Sequence, residues 1–388
     1  MRRGVWMHVE EMRRREDYEG ILLQSLTQGL SAWFGCEVRA TRNGGAQTWL
    51  YQRLFSAYHA RRPSRDVLRW LSASLRHTPR RWLAPAQFAG ASLAATRGGT
   101  VLLGRQGFSL SVGFENAADA LIVPGNQRLR VFCFDRGLSR VWPKVGFSTQ
   151  RLEVEVRARQ GAREGFFVPL RSWAKDYSWL EEGLVEGVPL PRCAPVQRQQ
   201  VDLVRLFEEL DAWSGSAVRE VEAIGYAQAL AQEGEGLISQ LQRRFAGELG
   251  ARFSLGRLVR QASVLGRLQL SRSHGDLQPG NLLVTPQGVR VIDWEHSRER
   301  MSGYDRLVFG LAARQAGWEV RVADFLSGNA VAPLALEQES SARRRALLSL
   351  FALEDLLWHL REASSGPYLG LTAGVRHASR TAVRVASL

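Results

Sequence analysis

Three oxygen-bearing side chains near the end of the chain, Asp276, Asn281 and Asp293, have the type and spacing to hold a divalent cation beside a phosphorylated ligand. Asp276 and Asn281 lie in the run Ser273-His274-Gly275-Asp276-Leu277-Gln278-Pro279-Gly280-Asn281-Leu282-Leu283-Val284, and Asp293 ends the run Val291-Ile292-Asp293-Trp294-Glu295. The apolar stretches Leu282–Val284 and Val289–Ile292 predict two short strands joined as a tight hairpin. That hairpin carries Asn281 at its entrance and Asp293 at its exit. Mg²⁺ takes one or two protein oxygens and completes its octahedron with phosphate oxygens and water, which suits an amide and a carboxylate. A further carboxylate, Asp276, is then available to orient and deprotonate an acceptor hydroxyl.

The composite His274-x-Asp276-x₄-Asn281-x₁₁-Asp293 resembles the aminoglycoside phosphotransferase and choline kinase family, the small-molecule branch of the kinase-like fold. Its Asp-x₄-Asn spacing is that of the kinase catalytic loop. The resemblance implies a bilobal α+β, protein-kinase-like fold, ATP and Mg²⁺ as cofactors, and in-line transfer of the γ-phosphoryl group to a hydroxyl. Asp276 would accept the acceptor's proton, and Asn281 and Asp293 would hold the metal. His274 would hold the loop by hydrogen bonds rather than move protons, and Asp305, in Gly303-Tyr304-Asp305-Arg306-Leu307, would cap it. Glu295 is open between a metal- or loop-holding role and a purely structural one.

Upstream the resemblance is looser. Arg140-Val141-Trp142-Pro143-Lys144-Val145 resembles the third strand of a small lobe, whose lysine reaches the phosphates. The next helix, from Gln150, would supply the glutamate that pairs with Lys144; Glu155 is favoured over Glu153, which points to another helix face. Backbone groups around Glu181–Gly183, including Glu182 and Gly183, would meet the adenine at a hinge. The turn Pro124-Gly125-Asn126-Gln127-Arg128 would cover the phosphates through Gly125, although it holds one glycine where the kinase pattern has a GxGxxG.

The elements that must position these groups fall in three stretches. Residues 1–98 predict a mainly helical, basic extension, with apolar spacing at Ile21–Leu23, Leu26, Leu30 and Trp33 and again at Trp49-Leu50, Leu54 and Tyr58. Residues 99–190 predict a small β-rich lobe with strand-like runs at Thr100–Leu103, Phe108–Val112, Ala120–Val123, Leu129–Phe134 and Ser139–Val145. A helix follows over Ser148–Arg159, then strands near Phe166–Val168 and Tyr177–Leu180. Residues 191–388 predict a large helical lobe that binds the acceptor.

Composition bounds the remaining possibilities. The 388 residues are 45% hydrophobic and 23% charged, as in an ordinary globular protein. No apolar run reaches the roughly 18–20 residues of a spanning helix. The N-terminal segment lacks the apolar core of a signal peptide, so a cytoplasmic location is expected. Cys36, Cys133 and Cys193 make neither a CxxC pair nor a disulfide framework. The net charge is +14, and only two of the 52 basic residues, Lys144 and Lys175, are lysine. A lysine that survives in so arginine-rich a chain marks a place where a planar guanidinium does not serve.

Residues 1–110 carry 17 Arg against 7 Asp and Glu, whereas residues 201–250 carry 4 against 9. The basic segment also holds Trp6, Trp33, Trp49, Trp70 and Trp82, and the cluster Arg76-His77-Thr78-Pro79-Arg80-Arg81. Arg with Trp suits an anionic membrane surface or a phosphorylated glycolipid, so a saccharide or lipid-linked saccharide acceptor and peripheral attachment at the inner membrane face through residues 1–98 are expected. The acidic stretch suits a cationic acceptor, an aminoglycoside or choline-type amino alcohol. A basic nucleic-acid- or membrane-binding pseudokinase scaffold is the alternative of another class, but no nucleic-acid-binding motif accompanies the charge.

Overall fold

The computed structural model describes residues 9–52, 55–76, 85–86, 89–90, 93, 96, 98–99, 105–160, 165–199, 201–215, 218–245, 255–315, 317–329 and 339–388. Mixed helix and antiparallel sheet divide into two units. The first comprises residues 3–201 with 280–292, and the second residues 202–279 with 293–388.

The first unit begins with helices α1 (Val9–Arg15) and α2 (Tyr18–Phe34). Asp17 caps α2 by accepting the Gly20 N–H at 3.3 Å, and Gly35 ends the helix at φ 66°, a left-handed conformation that costs glycine nothing. Leu22, Leu26 and Leu30, four residues apart, form its buried stripe. Each such side chain, fully buried, stabilises the fold by about 1.5–3 kcal/mol.

The stripe packs on a nine-stranded sheet in the order β1-β4-β2-β3-β5-β6-β7-β9-β8, with every pairing antiparallel. Its strands are β1 (Ala40–Thr41), β2 (Gln47–Gln52), β3 (Ala57–Ala60), β4 (Arg105–Leu110), β5 (Ala120–Pro124), β6 (Arg128–Cys133), β7 (Leu138–Pro143), β8 (Leu170–Trp173) and β9 (Leu180–Gly183). Strand alternation sorts the side chains onto two faces. Leu129, Val131 and Trp142 join the α1–α2 core. Leu121 and Val123 meet Val67 and Leu71 of α3 (Arg65–Arg76), and Val141 and Leu180 meet Leu152 and Val156 of α4 (Gln150–Arg159). The unit also contains β10 (Val188–Pro189), α5 (Pro195–Gln199) and the hairpin β13 (Leu282–Thr285) and β14 (Gly288–Val291), whose first strand pairs with β10.

The second unit holds the antiparallel sheet β11 (Arg219–Glu222), β12 (Arg267–Ser273) and β15 (Arg298–Met301). Around it lie α6 (Leu203–Ser214), α7 (Ala223–Arg244), α8 (Leu255–Ala262), α9 (Tyr304–Gly310), α10 (Trp318–Ser327), α11 (Ser341–Ser365) and α12 (Ala373–Ser387). Helix α11 starts at Ser340, whose Oγ accepts the Arg343 N–H at 3.2 Å, and is buried without interruption from Leu348 to Leu360. A helix covered all round belongs to a core. Among the described residues no helix is long and apolar enough to cross a membrane.

Two expectations change. The apolar positions Trp49, Leu50 and Tyr58, read as helical, belong to the β2–β3 hairpin. Trp49 stacks on Phe108 of β4, with centroids 5.9 Å apart and planes 11° apart, and Tyr58 packs against the same ring at 5.2 Å. Cross-strand aromatic pairs decide the segment there, over a spacing that also fits a helix. Consequently the described residues of 1–98 are not a separate helical extension, because β1–β3 are strands of the same sheet as β5–β9. The tryptophans follow suit. Trp49 is fully buried, and Trp33 and Trp70 pack against core clusters. Trp6, Trp82, Leu54, residues 77–81 and the strand-like run 100–103 lie outside the described residues.

Candidate functional site

In the second unit the loop carrying Asp276 is held by its neighbours' side chains. The buried Asp305, in the first turn of α9, accepts the His274 N–H at 2.6 Å and the Gly275 N–H at 2.8 Å. Burial raises the Asp305 carboxyl above its ordinary value, against the opposing pull of His274, the Gly275 N–H and Arg300. His274 is fully buried against Trp294 (centroids 4.6 Å apart), and its Nδ1 accepts the Asp276 N–H at 3.2 Å. Gly275 sits at φ 88°, where a Cβ would lie 2.2 Å from Arg300 Nη1 and 2.4 Å from the His296 carbonyl. Only glycine fits that position.

The Asp276 carboxylate is itself oriented. Arg314 Nε donates to its Oδ1 at 3.0 Å and Gln278 Nε2 to its Oδ2 at 3.0 Å. The same guanidinium donates through Nη1 to Asp355 of α11 at 2.5 Å, which ties the loop to the buried helix. Burial alone would raise the Asp355 carboxyl, but Arg314 and His359 outweigh it and hold it low. No motif pointed to Arg314, since its partners are 38 and 41 residues away in sequence.

Asn281, buried, opens the β13–β14 hairpin, and its carbonyl accepts the Ile292 N–H at 3.0 Å, the residue before Asp293. Asp293 adopts φ 65°, ψ 52°, a left-handed conformation uncommon for a residue other than glycine. Such outliers cluster at functional sites, where the surrounding structure holds them. Among the described residues no group of three or more His, Cys, Asp and Glu could hold a metal by itself. An amide and a carboxylate fit a hard cation that brings its own phosphate and water oxygens. Glu295 bonds the adjacent His296, Oε1 to Nε2 at 3.3 Å, and His296 Nδ1 accepts from Trp358 Nε1 at 2.9 Å.

In the first unit the upstream residues fall differently from expectation. Lys144 does not meet Glu155. It pairs with Glu16, just after α1, and both side chains are 0% exposed. Met12 Sδ is 3.9 Å from Nζ, and the Phe147 ring centroid 5.1 Å. Burial lowers Lys144 to about 8, with Glu16 opposing. The physical reason is register. Leu129 pairs with Trp142 and Arg128 with Pro143, so Lys144, the next residue, turns to the α1–α2 face while α4 covers the opposite one.

Glu155 instead bonds Arg128 and, at 3.0 Å, Arg159. Arg159 also reaches Glu182 at 2.8 Å and the Val168 carbonyl at 2.6 Å, and Arg130 pairs with Glu182 as well. Burial would raise the Glu182 carboxyl, but Arg130 and Arg159 hold it down to about 2. Glu153 pairs with the exposed Arg157 on the outer surface. Glu182 and Gly183 lie in β9, between β7 and β8, and the Gly183 N–H bonds the Pro169 carbonyl at 2.8 Å. The hinge expected there is therefore strand, and the irregular stretch follows at residues 184–187. Gly125 lies in the β5–β6 turn, its N–H bonded to the Arg128 carbonyl at 2.8 Å, and Arg15 reaches the neighbouring Asn126.

No protein-family model matches the chain, and no curated protein sequence does. Among solved structures it is similar to aminoglycoside phosphotransferase APH(4)-Ia, with 15% identity and a TM-score of 0.47 over 70% of this chain and 93% of that one. It is also similar to a choline/ethanolamine kinase family protein from Mesorhizobium loti, with 17% identity and a TM-score of 0.45 over 78% and 94%. A third is the choline kinase LicA from Streptococcus pneumoniae, with 13% identity and a TM-score of 0.41 over 71% and 92%.

Proposed function

We propose that the chain is an ATP-dependent phosphotransferase that moves the γ-phosphoryl group to a hydroxyl of a small molecule, a saccharide or lipid-linked saccharide. The observation that carries this reading is the Asp276 loop itself. A carboxylate is fixed by Arg314 and Gln278 on a backbone held by buried Asp305 and His274, and it runs directly into a hairpin bounded by Asn281 and Asp293.

In the reaction Asp276 orients the acceptor hydroxyl and accepts its proton. The acceptor oxygen forms the new bond to phosphorus as the bond to the β–γ bridging oxygen breaks, and ADP leaves with that electron pair. Arg314 holds the carboxylate in place, so that positioning rather than intrinsic basicity supplies most of the rate. Asn281 and Asp293 would hold Mg²⁺, which would supply positive charge to offset that building on the phosphate. His274 and Asp305 keep the loop backbone in register. Glu295, tied to His296, braces the segment after Asp293.

The pairing of the acidic stretch supports a neutral acceptor over a cationic one. Glu209, Asp211, Glu220, Glu222 and Glu233, from the acidic stretch, are paired with Arg205, Arg306, Arg267 (both Glu220 and Glu222) and Arg361. The guanidinium beside the base, Arg314, is shared between Asp276 and Asp355 and holds those carboxylates. The test is ADP formation with ATP and Mg²⁺ over a panel of monosaccharides, lipid-linked saccharides, aminoglycosides and amino alcohols. Turnover confined to the saccharides is expected, and turnover confined to the amines contradicts the acceptor assignment.

A further inference from the structure

We propose that Trp358 is a positioning residue for phosphoryl transfer: it holds Arg314, and through Arg314 the Asp276 carboxylate, in the reactive orientation. The inference rests on the phosphotransferase reading above. Arg314 stands on the segment between α9 and α10, where Ala312 takes φ 49°, a left-handed conformation that is strained for a residue with a Cβ. The neighbouring Ala313 carbonyl lies 2.9 Å from His377 Nε2 of α12, so this turn is held from outside. From it the Arg314 side chain, 9% exposed, reaches Asp276 through Nε at 3.0 Å and Asp355 through Nη1 at 2.5 Å. Its Nη2 is buried and bonds no acceptor among the described residues. Hydrogen bonds therefore fix part of the guanidinium, and packing must fix the rest.

Trp358 supplies that packing. The guanidinium lies over its buried ring, with Arg314 Cζ 4.5 Å from the ring centroid. A cation is attracted to an indole face, the more so when both are shielded from water. Asp355 and Trp358 are three residues apart on α11 and so share a helix face. One turn of that helix thereby offers a carboxylate and an indole to the same guanidinium. The indole is itself fixed. Its Nε1 donates to His296 Nδ1 at 2.9 Å, and its ring meets those of His296 at 4.7 Å and His359 at 4.1 Å between centroids. His296 stays in place because Arg300 Nη1 donates to its carbonyl at 3.1 Å, and to Ser273 Oγ at 2.8 Å, on the strand that leads into the Asp276 loop. The contacts therefore return to the loop they serve. Tryptophan offers a wide π face together with an N–H donor, whereas phenylalanine offers the face alone.

The experiment is steady-state ADP formation from Mg²⁺–ATP with the acceptor panel above, alongside calorimetric ATP binding. It compares the full chain, Trp358→Phe, Trp358→Leu and each of these combined with Asp276→Asn, at a temperature where thermal unfolding shows them folded. A carboxylate displaced by about 1 Å loses on the order of 100-fold in rate. The kcat is therefore expected to fall about 100-fold in Trp358→Leu and about 10-fold in Trp358→Phe, with the Kd for ATP within about 2-fold of the parent in both. In the Asp276→Asn background the same changes are expected to lower the residual turnover by no more than about 3-fold, because the carboxylate they position is gone. A structural role alone would lower kcat by the same factor in either background. That outcome, a Kd for ATP that rises in step with the loss of kcat, or parent-like kcat in both single variants overturns the inference and leaves the phosphotransferase reading standing. A parent chain that phosphorylates no member of the panel sinks that reading, and this inference with it. Should Trp358→Leu not fold, Trp358→Phe and its combination with Asp276→Asn carry the test.

Discussion

Glu354 of α11 accepts the Tyr226 hydroxyl at 2.5 Å and the Met301 N–H at 2.9 Å, yet burial raises its carboxyl to about 7, against both bonds. A carboxyl raised from 4.5 in the unfolded chain binds more protons when folded, so its contribution to stability is full below pH 4.5 and is lost as pH rises through 7. The loss amounts to about 3 kcal/mol. Glu354→Gln keeps both acceptor contacts and removes the titration. Its stability relative to the parent is therefore expected to climb between pH 5 and pH 8 in urea unfolding, and parallel curves would count against a raised Glu354. The Glu16–Lys144 pair makes a second prediction. Removing either charge strands the other in a dry site and is expected to cost about 3–5 kcal/mol, whereas replacing both by apolar groups of similar size costs far less. Thermal unfolding of Glu16→Leu, Lys144→Met and the double variant measures this, and additive single effects would deny the coupling.

The Asp276 loop and the hairpin after it show how much an element owes to one glycine. Gly275→Ala adds a Cβ to a left-handed residue in contact with Arg300 and the His296 carbonyl, and is expected to destabilise the second unit by at least about 2 kcal/mol. Turnover should fall with it because Asp276 is the next residue; a fully active Gly275→Ala would mean the loop tolerates a shift. This stretch was the most legible part of the sequence. Asp276, Asn281 and Asp293 lie five to seventeen residues apart, and the hairpin from Asn281 to Asp293 is a local event that apolar patterning and turn residues encode. Strands β5, β6 and β7 and helix α4 were legible for the same reason. The face taken by Lys144 was not, because a single step of register reverses it and its partner Glu16 lies 128 residues away. Nor was the β2–β3 hairpin, since Trp49, Leu50 and Tyr58 fit a helical spacing until Phe108 of β4 is placed beside them.

At the scale of the molecule, the basic surplus of residues 1–110 and the acidic surplus of residues 201–250 belong to different units, and neither marks a partner simply by its sign. In the first, Trp49 is fully buried in the nine-stranded sheet and Trp33 and Trp70 pack against core clusters, and in the second five carboxylates are paired with arginines. What remains distinctive of the whole chain is the motif that runs from Asp276 in the second unit, through the hairpin of the first, to Asp293. Whether Asp276 serves as the base is decided by phosphoryl transfer from ATP to a saccharide acceptor by the full chain and by Asp276→Asn, with ATP affinity followed in parallel. Turnover by the parent, with a loss of at least about 100-fold in the variant at unchanged ATP affinity, is predicted. Equal turnover in Asp276→Asn, or a parent chain that binds ATP and phosphorylates no hydroxyl across the panel, contradicts it.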